Sequence, residues 1–140
     1  MTKFLKIFYA MLLIYAQSYA QTVPKKIYFF ADTTAKNRIM DISVESNILK
    51  YFTIYCPCMD KDNNFAQFMW IRKKGESKPS EVIGKPTHKY ISFKDLAERI
   101  AKYGVYFDRY YELNIVEPRK NVNLFITWKV EILPVGQIIY

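Results

Sequence analysis

Glycine is scarce in this chain, with four in 140 residues. No glycine-rich stretch could cradle a phosphate, which excludes nucleotide loops of that kind. There is one histidine, His88. It has no nucleophile-elbow serine for company, so a Ser–His hydrolase is not supported. The two cysteines, Cys56 and Cys58, are too few for a disulfide-dense scaffold, and packing must hold the fold together. Long apolar runs are also missing. The stretch Ile7 to Ala16 is well short of the roughly 20 residues that cross a bilayer as a helix.

That short run carries an address. Lys3 and Lys6 precede it, and Ser18-Tyr19-Ala20 places small residues at −3 and −1 of a cut before Gln21. This order predicts a secretory signal peptide over residues 1–20 and a single domain over 21–140, exported to the periplasm or the cell exterior. No lipobox cysteine stands at the cut, and no stable membrane insertion is expected after cleavage. The signal and the Lys, Asn, Ile and Tyr bias resemble those of small exported proteins of Gram-negative bacteria.

The whole chain carries a formal charge of +8, and removal of Lys3 and Lys6 with no acidic residue leaves +6 for 21–140. An exported protein rarely meets nucleic acid, so the charge either serves solubility alone or suits acidic surfaces, glycans or another protein; the expected partner is a protein, acidic in character. Half of the residues are hydrophobic, with twelve Tyr and ten Phe, which is incompatible with a disordered chain.

Residues 26–31, 39–45, 48–56 and 65–72 read as strands, with 48–56 and 65–72 forming a hairpin. A helical reading of 37–52 competes with the second strand. In 65–72 both faces are apolar, which places that strand centrally. Residues 72–90 carry six basic side chains against Glu76 and Glu81, punctuated by Gly75, Pro79, Gly84 and Pro86. That predicts an exposed basic loop with a short strand near Val82-Ile83. Ser92 caps a helix over 93–103, with Phe93, Leu96, Ala97, Ile100 and Ala101 in one apolar stripe and Asp95–Arg99 and Glu98–Lys102 as supporting pairs. Strands around 111–115 and over 122–132 follow, the second with Val122, Leu124, Ile126, Trp128, Val130 and Ile132 on one face. Pro134 ends it, and the tail could add an edge segment. The fold class is α+β: a mostly antiparallel sheet of about six strands with one helix on one face, and no parallel crossover.

Cys56-Pro57-Cys58 is the one segment that invites a chemical reading. In a regular strand, Cα atoms two residues apart lie roughly 6.6–6.8 Å from each other, the upper limit for a disulfide. Structural thiols, a strained local disulfide and a thiol-dependent redox pair are the three readings. Zinc would need Cys56, Cys58, His88 and one more ligand, and the spacing matches no zinc pattern. No cofactor is expected. Asp60-x-Asp62-x-Asn64 opens like a calcium loop, but Phe65 and Ile71 stand where Gly and Glu are required.

Two surfaces suit a partner. One is the basic loop, through Lys73, Lys74, Lys78, Lys85, His88 and Lys89. The other is the aromatic-basic segment 102–111, through Tyr103, Tyr106 and Tyr110. That segment reads equally as a connection whose aromatics cap the core. The functional expectation is a small exported interaction module of inhibitor, immunity or accessory type rather than an enzyme. The alternatives are a redox protein using the CPC segment and a glycan binder using the tyrosines.

Overall fold

The computed structural model describes residues 7, 23–31, 40–46, 48–55, 64–76, 78–119 and 122–133. Apart from Ile7, the expected signal peptide lies outside them, as do Cys56, Cys58, most of the calcium-like turn and the tail after Leu133.

Strands β1 (Lys25–Phe30), β2 (Met40–Ser46), β3 (Leu49–Tyr55), β4 (Asn64–Ile71) and β5 (Ser80–Ile83) come first. Helix α1 (Phe93–Tyr103) then leads through a 3-10 turn (Gly104–Tyr106) into the short helix α2 (Phe107–Tyr110). Strands β6 (Tyr111–Pro118) and β7 (Leu124–Ile132) close the order. Period-two patterning prevails over the helical reading of 37–52: β2 and β3 pair antiparallel, with Ile42 opposite Phe52. The β3–β4 hairpin is also present, with Phe52 opposite Phe68.

The sheet runs β1-β6-β7-β4-β3-β2, and β5 joins β7 off that path. It is mixed, which corrects the expectation of a mostly antiparallel sheet without parallel pairing: β1 lies parallel to β6, from Lys25 beside Tyr111 to Phe30 beside Val116. The physical reason lies in β6. Leu113, Asn114, Ile115 and Val116 are all buried, so β6 is covered on both faces and takes a strand on each edge. Its hairpin partner β7 fills one edge and the remote β1 fills the other.

The sheet curls over its own apolar face. Phe52 of β3 meets Trp128 of β7 with ring centroids 6.2 Å apart, and Trp70 of β4 meets Trp128 edge-on at 4.9 Å. Inside the curve, Phe52, Ile54, Phe68, Leu113 and Ile115 are fully buried, with Ile27, Phe29, Ile126 and Val130 beside them. Leu96 and Ile100 of α1 and Phe107 of α2 join the same core. Among the described residues, no helix is long and apolar enough to cross a membrane.

Among the described residues, one charged side chain sits inside this core. Lys50 is only 4% exposed, opposite Trp70 in the register. Its Nζ donates to Glu117 Oε2 at 2.5 Å and lies 4.4 Å from the Trp128 ring centroid. Trp128 Nε1 donates to the same carboxylate oxygen at 2.9 Å. Burial lowers the Lys50 pKa and outweighs the opposing pull of Glu117. The pair joins β3 to β6 although β4 and β7 stand between them in the sheet, which is possible only because the sheet curls.

Candidate functional site

The aromatic turn after α1 is built by three local rules. Ser92 Oγ accepts from Asp95 N at 3.1 Å, and the Asp95 carboxylate accepts in return from Ser92 Oγ at 2.8 Å, so the helix start is fixed. Gly104 takes φ 51° and donates its N–H to Ile100 O, which stops the helix. Phe107 then inserts into the core, edge-on to Phe68 at 5.7 Å. Full burial of one such ring contributes about 1.5–3 kcal/mol, far more than any exposed ion pair nearby, so Phe107 is the anchor of the turn.

That anchor directs its neighbours outward. Val105, Tyr106 and Tyr110 are 58%, 54% and 49% exposed. The rings are held rather than free. Tyr103 and Tyr110 pack at 4.3 Å, Tyr103 meets Tyr111 edge-on at 5.6 Å, and the Arg109 guanidinium lies 4.7 Å from the Tyr106 centroid. Arg99 and Lys102, expected to pair along the helix with Asp95 and Glu98, lie over Tyr111 at 4.7 Å and Tyr103 at 5.2 Å. Phe107 thus caps the core and Tyr103 packs half-buried against it, while Tyr106 and Tyr110 stay exposed.

Asp108 fastens the turn to the sheet. Its carboxylate accepts from the backbone N–H of Ile132 at 3.0 and 3.3 Å, at the point where β7 runs past the start of β6. Burial raises its pKa to about 6. The Ile132 hydrogen bond and Lys73 pull it down, and Glu131 adds to the rise.

The basic loop does not act as one unit, because its lysines separate to two places. Lys85, His88 and Lys89 lie on a segment that docks along β1. His88 stacks on Tyr28 at 3.8 Å, nearly parallel, while Lys85 sits 4.1 Å from the Phe30 centroid. Ile91 N donates to Tyr28 O at 2.9 Å, and Tyr28 bridges to Tyr90 in parallel fashion. This covers an edge strand that would otherwise present open backbone, a role that composition did not reveal. Lys89 stays exposed.

Lys73 and Lys78 instead rim a cleft of about 470 Å³ on the outer face of the sheet, and Lys74 stands exposed in the turn before Gly75. The cleft arises because two strands share one edge of β7. Strand β5 pairs along Leu124–Thr127 and β4 along Glu131–Ile132, so the two diverge around Lys129. The floor is a row of charges. Glu112 accepts from Lys129 at 3.1 Å and lies 3.5 Å from Lys26, and Glu131 pairs with Lys73 at 2.5 Å. Burial pushes the Glu112 pKa up, but hydrogen bonds from Lys129 and Asn114 outweigh it and the net shift is downward. Met69 and Ile71 form an apolar wall. The sequence offered no signal for this cleft, since its parts come from β1, β4, β6, β7 and the loop.

Among the described residues, no three His, Cys, Asp or Glu side chains gather to hold a metal ion. Comparisons with protein-family models, with curated proteins and with solved structures found no match.

Proposed function

We propose that the chain is a small exported interaction module that binds an acidic protein partner through the aromatic turn at residues 103–111. The observation that carries this reading is the exposure of Val105, Tyr106 and Tyr110 around a fully buried Phe107. Tyrosine and arginine on a rigid support are the side chains that most often dominate binding energy, because little conformational freedom is lost when a partner covers them. The turn is preorganised by the Phe107 anchor and by Asp108 at Ile132 N. The +6 charge of residues 21–140 supports an acidic partner by favouring its approach.

Protein is preferred over glycan for a geometric reason. A sugar needs a free ring face, whereas Tyr103 and Tyr110 pack against each other and Arg109 lies over Tyr106. The test is capture from an extracytoplasmic extract on protein whose N-terminus is read as Gln21. Binding kinetics of Tyr106→Ala and Tyr110→Ala against the captured protein follow. Each variant is expected to dissociate at least about tenfold faster with an unchanged melting temperature. Wild-type dissociation in both would refute this placement of the interface.

A further inference from the structure

We propose that the fork between β4 and β5 is a peptide-binding cleft that receives an extended, acidic segment of a protein partner. The inference rests on the reading above that the chain binds a protein, but it concerns a different surface.

The first ground is an interrupted ladder. Along one edge of β7, β5 stops at Thr127 and β4 begins at Glu131. Peptide groups alternate between the two edges of a strand. Leu133 N donates to Gln67 O of β4, so the odd-numbered residues of β7 face that edge. Lys129 therefore turns its N–H and C=O into the fork, where no described strand pairs with it. An extended chain is the ligand that matches such a group, because it supplies a complementary donor and acceptor at strand spacing. Lys129 alone allows a short stretch of pairing, so the cleft suits a segment of a few residues rather than a full added strand.

The second ground is shape. A volume of about 470 Å³ lies within the range of roughly 300–1,000 Å³ common for ligand sites. One wall, Met69 and Ile71, is apolar, and Ile71 is 38% exposed. An extended peptide presents alternate side chains to opposite sides, so one set can lie on this wall while the other turns to the charged rim.

The third ground is charge, and it selects an acidic segment. Glu131 is neutralised by Lys73, and Glu112 is shared between Lys26 and Lys129, which leaves one positive charge in excess on the floor. Lys78 lies on the rim with no ion pair to a described residue, and the single rim glutamate, Glu76, offsets one of these charges. Arg72 and Lys74, both exposed, flank Lys73 in sequence, and Asp108 offsets part of the charge near Lys73. A basic segment would meet this charge with repulsion, and a neutral one would leave Lys78 unused.

The experiment is selection of a displayed library of random hexapeptides on the purified protein, with three variants run beside it. Lys78→Glu reverses the rim charge at an exposed position. Thr127→Trp fills the cleft from its floor. Tyr106→Ala leaves the cleft untouched. The expected result is enrichment of peptides containing Asp or Glu. Affinity for them should fall by about tenfold in Lys78→Glu, vanish in Thr127→Trp and be unchanged in Tyr106→Ala. Amide exchange at Lys129 should slow when the selected peptide is bound. No enrichment, enrichment of basic or uncharged peptides, or equal binding to wild type and Lys78→Glu would overturn the proposal. Lys78→Glu keeps the test decisive if the tryptophan variant does not fold. Because Tyr106→Ala is scored separately, loss of the aromatic interface and loss of the cleft are distinguishable outcomes.

Discussion

Replacing Lys50 by Met tests the curled sheet most directly. Met has a similar length and no charge, so Lys50→Met keeps most of the packing on Phe52 and Trp128 while leaving the Glu117 carboxylate without its cation. Glu117 keeps only the Trp128 Nε1 hydrogen bond, with a side chain 12% exposed. Removal of one partner from a buried ion pair costs about 3–5 kcal/mol, because a charge then remains desolvated. Glu117→Gln alone leaves Lys50 a neutral amide oxygen as acceptor in place of the carboxylate. Its cost should be smaller, about 1–3 kcal/mol. The double variant Lys50→Met, Glu117→Gln removes both charges and keeps an acceptor for Trp128. Its cost should fall below that of Lys50→Met alone, which is a coupling of at least the Glu117→Gln cost, about 1–3 kcal/mol. Urea melts at pH 7 of all four proteins, with equal slopes, measure this. Additive effects, or a Lys50→Met cost below about 1 kcal/mol, would mean that β3 and β6 do not meet across the core.

Trp128→Ala should cost about 3–5 kcal/mol by emptying a site filled between Phe52, Trp70 and Lys50, whereas Thr127→Ala on the opposite face should cost under about 1 kcal/mol. Equal costs in urea melts would mean that the register of β7 is wrong. Asp108 should give stability a pH dependence. Its folded pKa of about 6 stands above the ordinary 3.8, so the folded state holds that proton more tightly. The contribution is therefore full below about pH 4 and lost as pH rises through about 6. The rise corresponds to at most about 3 kcal/mol, and partial exposure to solvent reduces it to about 1–2 kcal/mol. Asp108→Asn should keep an acceptor for Ile132 N, flatten stability between pH 4 and 6, and stabilise or leave unchanged the protein at pH 7. A destabilisation above about 1 kcal/mol at pH 7 with the slope intact would refute this account of Asp108.

Local pattern alone was enough for most of the elements. Alternation placed β2 and β7, because a strand with one face on the core repeats every second residue, while β-branched and aromatic content placed β3 and an apolar run on both faces placed β4. Helix α1 followed from a stripe at helical spacing, the Ser92 cap and the Gly104 stop, all set by neighbours a few residues away. The aromatic surface was visible as composition, since Tyr103, Tyr106 and Tyr110 lie within eight residues of sequence.

Tertiary structure decided the rest, and each case joins residues that lie far apart in sequence. The parallel pairing of β1 with β6 spans nearly the whole domain, and no local turn signal announces such a partner. Lys50 sits in an apolar run like any snorkelling lysine, and its burial depends on Glu117, 67 residues away, reaching it across a curled sheet. The basic loop is uniform in composition, yet Lys85 and His88 pack on β1 while Lys73 reaches Glu131. The cleft beside Lys129 exists only because β4 and β5 compete for one edge of β7. Periodicity determines which face of a strand is buried; it carries no information about which strand lies alongside, and that choice rests on long-range packing.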